Sequence, residues 1–106
     1  MPVITMKKSD IPDNGATVVK VNNWLKIAIF RVGDRLAAID NRCPHAGADL
    51  WDGEDSVFNG VTVKCPWHGY RVDVWKGQGV DGAPHPTFPV VLVGDEVQLA
   101  VPDEIG

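Results

Sequence analysis

Turn-forming residues interrupt this chain so often that they favour short strands over long helices. Its 106 residues include 11 Gly and 8 Pro, two residue types that are common in turns. No window of a dozen residues keeps the 3.6-residue apolar period of a helix, whereas short alternating or apolar runs are frequent. The runs predicted to be strands are 16–21, 24–32, 35–40, 57–64, 71–75, 90–93 and 97–101. Seven or eight short strands predict an all-β fold, either an antiparallel sandwich or a small barrel.

Short pairs rich in Asn, Asp and Gly are predicted to turn the chain around or within these runs. The predicted turn pairs are Asn22–Asn23, Gly33–Asp34, Asn59–Gly60 and Gly94–Asp95. Residues 76–79 are predicted to form a loop, and prolines interrupt the stretch 83–89.

Length, charge and hydropathy limit the classes of function. A chain of 106 residues is expected to form one domain that spans residues 1–106. Fourteen acidic and ten basic side chains give a net charge of −4, without the basic stripe that nucleic-acid binding requires. No apolar run approaches the roughly 20 residues that cross a bilayer, and residues 1–10 lack an apolar targeting segment. We therefore expect a cytoplasmic protein with no nucleic-acid or membrane partner.

Two short segments combine the side chains that bind soft and borderline metals. They read Cys-Pro-His-Ala-Gly from Cys43 and Cys-Pro-Trp-His-Gly from Cys65, and nineteen residues separate His45 from Cys65. Each segment follows a predicted strand, so each is expected on a loop at a strand end. Two thiolates and two imidazoles, from Cys43, His45, Cys65 and His68, would then meet at one point.

The residues alone leave several interpretations of these segments open. A disulfide is uncommon in a cytosolic protein, and a buried cysteine is often only a small apolar residue. A Cys₂His₂ set also suits tetrahedral zinc, although zinc fingers keep their cysteines together and their histidines together. A [2Fe–2S] cluster with two thiolates on one iron and two histidines on the other needs one ligand of each kind from each loop.

At these residues the sequence resembles the Rieske proteins. The resemblance rests on Cys43-Pro-His45-Ala-Gly-Ala-Asp-Leu and Cys65-Pro-Trp-His68-Gly. It implies a sandwich of three small antiparallel sheets with two cluster-binding loops at its tip, and one [2Fe–2S] cluster per chain. It also implies that Cys43 and Cys65 hold the buried iron, and that His45 and His68 hold the outer one.

Departures from the family pattern indicate its ferredoxin branch. Ala48 and Trp67 stand where high-potential members have two cysteines that join the loops by a disulfide. Tyr70 and Val72 stand where those members have a Ser and a Tyr that donate hydrogen bonds to cluster-side sulfurs. Fewer donors imply a reduction potential in the lower part of the Rieske range.

The resemblance implies a one-electron carrier rather than an enzyme. A flavin-containing ferredoxin reductase would supply the electron, and the terminal oxygenase of an aromatic ring-hydroxylating dioxygenase would receive it, in the catabolism of aromatic hydrocarbons. A carrier that meets two partners in turn is expected to be a monomer. The alternatives are the small Rieske-like subunit of an assimilatory nitrite reductase and, in another class, a zinc-bound interaction module.

Other residues near the two segments carry further expectations. The acidic run of Asp49, Asp52, Glu54 and Asp55 is either a solvated loop or a field that steers a basic partner. His85, in a proline-bearing segment that resembles the family's covering loop, is expected to be a surface or covering residue. The four tryptophans are expected mostly in the core, Trp51 included, with Trp67 beside the cluster.

Overall fold

Short strands make up most of the regular structure. The computed structural model describes residues 2–43, 47–54, 56–66 and 69–102, and these residues contain eleven strands and one 3-10 turn, Lys8–Asp10. The strands are β1 (Val3–Lys7), β2 (Gly15–Lys20), β3 (Lys26–Val32), β4 (Arg35–Asp40), β5 (Val57–Phe58), β6 (Thr62–Lys64), β7 (Arg71–Asp73), β8 (Gln78–Gly79), β9 (Thr87–Phe88), β10 (Val90–Val93) and β11 (Glu96–Ala100).

The strands form three antiparallel sheets, with the orders β1-β11-β10, β2-β3-β4-β9 and β5-β6-β7-β8. The predicted all-β sandwich of three small sheets is therefore confirmed. Within the described ranges, no helix is long and apolar enough to cross a membrane.

Strand β3 lies between the two apolar cores of the molecule. Successive side chains of a strand point to opposite faces, and β3 is buried on both. Ile27 and Ile29 pack into a cluster with β11 of the first sheet, whereas Ala28 and Phe30 pack into a second cluster with β6 and β7 of the third sheet. The middle sheet is thus the layer that joins the other two.

Three predicted turns are confirmed and one is wrong. Gly33–Asp34 and Gly94–Asp95 link strands whose flanking residues pair directly, and Asn59–Gly60 lies between β5 and β6. Asn22–Asn23 is not a two-residue turn, because the last paired residues of β2 and β3 enclose the five-residue loop 21–25. The Asn22 side-chain oxygen accepts hydrogen bonds from two backbone N–H groups of this loop, at 2.7 and 2.9 Å.

The strand predictions differ from the structure in several places, and the run predicted over 24–32 begins only at Lys26. β1 was not predicted, because it depends on pairing with β11 at the far end of the chain. β8 and β9, of two residues each, were not predicted either, because β8 lies in the predicted loop 76–79 and β9 in the proline-interrupted stretch 83–89. The run 57–64 is divided into β5 and β6. The run 71–75 ends at Asp73, whose carboxylate accepts hydrogen bonds from the N–H groups of Trp75 and Lys76, at 2.9 and 3.0 Å.

The expectation that the tryptophans lie mostly in the core holds only in part. Trp51 is partly buried with its ring edge-on to Phe30, 5.9 Å between centroids. Trp75 is also partly buried, and its indole N–H donates to a backbone carbonyl at 2.8 Å. Trp24 contradicts the expectation: it is 72% exposed, because it lies in the loop 21–25. Trp67 lies outside the described residues.

Candidate metal centre

The two predicted ligand loops close with the same hydrogen-bond pattern. In the first loop, the Cys43 N–H donates to the Ala48 carbonyl at 2.7 Å, and the Gly47 N–H donates to the Cys43 carbonyl at 2.8 Å. In the second loop, the Cys65 N–H donates to the Tyr70 carbonyl at 2.7 Å, and the Gly69 N–H donates to the Cys65 carbonyl at 3.0 Å. The two segments that match in sequence therefore have the same fold around their cysteines.

A glycine four residues after each cysteine makes this pattern possible. Gly47 and Gly69 have φ angles of +69° and +70°, a left-handed conformation that disfavours residues with a Cβ atom. Each glycine also lies beside a basic side chain, because a Cβ at Gly47 would be in ordinary van der Waals contact with the guanidinium Nε of Arg42, at 3.6 Å, and one at Gly69 with Cε of Lys64, at 3.4 Å. In each loop, a basic residue directly before the cysteine therefore covers the glycine.

Asn41 fixes the ends of the first loop. Its side chain is 1% exposed and binds both polar groups of the Trp51 backbone. The Asn41 amide donates to the Trp51 carbonyl at 3.0 Å, and its oxygen accepts from the Trp51 N–H at 2.8 Å. This exchange joins the residue that follows β4 to the residue at which the loop returns to the core.

Both thiols are buried in one apolar cluster. Cys43 and Cys65 are 0% exposed, are not joined by a disulfide, and belong to the cluster that also contains Val72 and Phe30. A buried thiolate is costly unless a cation neutralises it, and thiolates are preferred ligands of iron–sulfur clusters. Two buried thiols in one cluster, each on one of the matched loops, thus fit a metal group held between the loops.

Only half of the predicted ligand set falls in the described part of the chain. Cys43 and Cys65 belong to the same apolar cluster, whereas His45 and His68 lie outside the described residues, so the predicted ligand set stays a prediction. Val72, just after the second loop, is completely buried and has no hydrogen-bond donor on its side chain.

Tyr70 directs its hydroxyl to a carboxylate. The hydroxyl donates to Oδ1 of Asp81 at 3.0 Å. Burial, and then the hydrogen bond to the Asp81 carboxylate, raise the pKa of Tyr70 above its usual value, and the charge on Cys43 acts in the same direction. The phenol therefore remains protonated at neutral pH.

His85 is buried, so of the two expected positions, surface or covering, the surface position is wrong. It is 6% exposed, and its Nε2 atom lies 2.7 Å from the Asp40 carbonyl oxygen. Since a carbonyl can only accept, Nε2 must carry the proton. No local sequence signal predicts this contact, because Asp40 lies 45 residues earlier in the chain.

Two of the four acids of the acidic run form contacts within the fold. Asp49 forms an ion pair with Lys26 at 2.8 Å. Asp52 Oδ1 accepts hydrogen bonds from the Glu54 N–H at 2.9 Å and from the Ser56 N–H and hydroxyl at 3.0 and 2.8 Å. Glu54 is exposed, and Asp55 lies outside the described residues.

The family of the chain follows from a match that covers most of its length. Residues 1–92 match the Rieske [2Fe–2S] domain family. The chain belongs to the Rieske family. The resemblance inferred from the two segments is therefore confirmed, and the metal group is one [2Fe–2S] cluster, whose need for thiolate ligands fits the two buried thiols.

Relatives within the Rieske family include ferredoxins of dioxygenase systems. A ferredoxin component of naphthalene 1,2-dioxygenase/salicylate 5-hydroxylase systems from a Ralstonia species is 37% identical over 71 residues, which cover 67% of this chain and 64% of the relative. This match spans just under two thirds of that relative. The 3-phenylpropionate/cinnamic acid dioxygenase ferredoxin subunit of Photorhabdus laumondii is 31% identical over 98 residues, which cover 90% of each chain.

Solved Rieske structures share the whole fold. The ferredoxin of carbazole 1,9a-dioxygenase from Nocardioides aromaticivorans IC177 has a TM-score of 0.77 and 28% identity, covering 91% of this chain and 93% of its own. A chain from a complex of reduced oxygenase and oxidized ferredoxin in carbazole 1,9a-dioxygenase has a TM-score of 0.78 and 26% identity, covering 97% and 98%.

Proposed function

We propose that this chain is the ferredoxin component of a ring-hydroxylating dioxygenase system, and that it carries single electrons without catalysing a reaction itself. The observation that carries the proposal is the pair of matched loops, each with one buried cysteine, in a chain that is Rieske domain over most of its length. Ferredoxins of dioxygenase systems among the relatives support the same role.

We propose a ligand set of one cysteine and one histidine from each loop. Cys43 and Cys65 bind one iron, and His45 and His68 bind the other. The cluster supplies one-electron redox chemistry when it is bound, and histidine ligation places its potential above that of all-cysteine clusters. The chain's own contribution is to bury both thiols and to hold the loops in matching conformations.

The proposed partners are a flavin-containing ferredoxin reductase and a terminal oxygenase. The solved complex of an oxygenase with a ferredoxin supports the second partner. A reductase is needed because a Rieske cluster carries only one electron at a time and must be reduced again after each transfer. We propose that the chain works in the cytoplasm as a monomer, since it must meet both partners in turn.

The proposal is tested with the purified protein. We expect two irons and two sulfides per chain, a red-brown colour, and transfer of electrons from a flavin-containing reductase to an oxygenase that turns over an aromatic substrate. Cys43→Ser and Cys65→Ser should abolish the cluster. A colourless protein with bound zinc would instead support the interaction module, and a stable complex with a nitrite reductase large subunit would support the other alternative.

A further inference from the structure

A single segment, residues 78–86, connects to both cluster loops, and we call it the strap. It begins with β8, which pairs with β7, the strand that directly follows the second loop. It ends at Pro86, and the chain then enters β9, which pairs with β4, the strand that precedes the first loop. The strap also binds itself, since the Gly79 N–H donates to the Ala83 carbonyl at 2.9 Å.

The strap is joined to the second loop through Tyr70. The Tyr70 carbonyl closes this loop on the Cys65 N–H, and its hydroxyl donates to Asp81 of the strap at 3.0 Å. The same Asp81 oxygen accepts a hydrogen bond from the Ala83 N–H at 3.0 Å. Gly79 leaves the space that the phenol occupies, because a Cβ there would clash with the tyrosine hydroxyl.

His85 joins the strap to the end of β4, the strand that leads into the first loop. Its backbone N–H donates to the Gly77 carbonyl at 2.8 Å, and its ring N–H donates to the Asp40 carbonyl at 2.7 Å. Asp40 is the last residue of β4, and its own N–H donates to the Pro86 carbonyl at 3.0 Å. The strap therefore binds both polar groups of the Asp40 backbone, three residues before Cys43.

We propose that the strap is a noncovalent clamp that fixes the spacing between the two cluster loops, with Tyr70 and His85 as its positioning residues. The chain contains only two cysteines, and the proposed function uses both as iron ligands, so no disulfide can join the loops. Hydrogen bonds from the strap reach the end of one loop and the strand that leads into the other. This inference rests on the ligand set proposed above.

The test compares strap variants with a control that loses a hydrogen bond elsewhere. Tyr70→Phe keeps the ring over Gly79 and removes only the hydroxyl, and His85→Leu removes the ring donor. Trp75→Phe is the control, because it loses one partly buried N–H donor in the turn between β7 and β8, outside the strap. The rate at which visible absorbance is lost to an iron chelator, the paramagnetic resonance spectrum of the reduced cluster and the melting temperature are measured for each.

We expect each strap variant to lose the cluster about three- to tenfold faster and to show shifted or broadened resonance lines. His85→Gln, which restores an N–H near the same position, should return both readings towards wild type. Trp75→Phe should lower the melting temperature without changing the spectrum. The clamp proposal would be wrong if both strap variants lost the cluster at the wild-type rate and kept the wild-type spectrum. It would also be wrong if the control lost the cluster as fast as the strap variants do. A wild-type protein without a [2Fe–2S] cluster would refute the ligand assignment itself.

Discussion

Replacing Asn41 by Ala should destabilise the protein strongly, because this one side chain satisfies both polar groups of the Trp51 backbone. Asn41 is 1% exposed, so water cannot readily replace its bonds of 3.0 and 2.8 Å. Leaving a buried donor and a buried acceptor unpaired costs about 1–3 kcal/mol for each group, and part of this is recovered by relaxation. We expect a loss of about 2–4 kcal/mol, which lowers the melting temperature by roughly 8–16 °C for a domain of this size.

Urea unfolding and thermal melting of the loaded protein measure this loss, and Asn22→Ala is the matched control. Asn22 also accepts two backbone hydrogen bonds, but it is only partly buried, so water can replace the side chain. We expect the control to lose less than about 1 kcal/mol. Equal losses in the two variants, or a loss below about 1 kcal/mol for Asn41→Ala, would refute the argument that burial makes this contact critical.

Further predictions concern the loop conformation, pH, the potential and docking. Gly69→Ala should cost about 1–2 kcal/mol in urea unfolding, because φ is +70° there; an unchanged midpoint would contradict this. Burial raises the pKa of Asp40, against the opposing effects of His85 and Arg42, so the folded state holds this proton more tightly. The contribution of Asp40 to stability should therefore fall as pH rises from the usual Asp pKa through the raised value, and Asp40→Asn should flatten that part of the melting-temperature profile. The potential should lie closer to about −150 mV than to +300 mV, and Val72→Thr should raise it in voltammetry if the new hydroxyl reaches a sulfur. Glu54→Gln should slow electron transfer at low salt and have little effect at high salt; a rate that ignores both changes would mean that the acidic run does not steer a partner.

The parts of the fold that were predicted depend on local signals. Gly33–Asp34 and Gly94–Asp95 are glycine pairs between alternating runs, and such turns form wherever the flanking strands pair. The parts that were missed depend on distant contacts. β1 is defined by its pairing with β11, and the loop 21–25 is shaped by side-chain bonds of Asn22 that the pair Asn22–Asn23 does not reveal.

The candidate site, like the fold, has features that local sequence signals predict and features that depend on distant contacts. Cys43 and Cys65 could be identified from the sequence because each lies in a short segment with a histidine and a glycine at matching positions. Basic residues stand directly before the two cysteines, but the sequence alone does not show that they lie beside the loop glycines. The burial of His85 and the hydroxyl bond of Tyr70 could not be predicted, since their partners lie 45 and 11 residues away.

The most direct test of the central claim is electron spin echo spectroscopy of the reduced protein, which detects nitrogen nuclei bound to the paramagnetic cluster. We expect couplings to two histidine nitrogens, and the loss of one coupling in each of the variants His45→Cys and His68→Cys if those variants retain a cluster. A reduced [2Fe–2S] cluster that shows no histidine nitrogen coupling, or couplings that survive unchanged in both variants, would contradict the proposed ligand set.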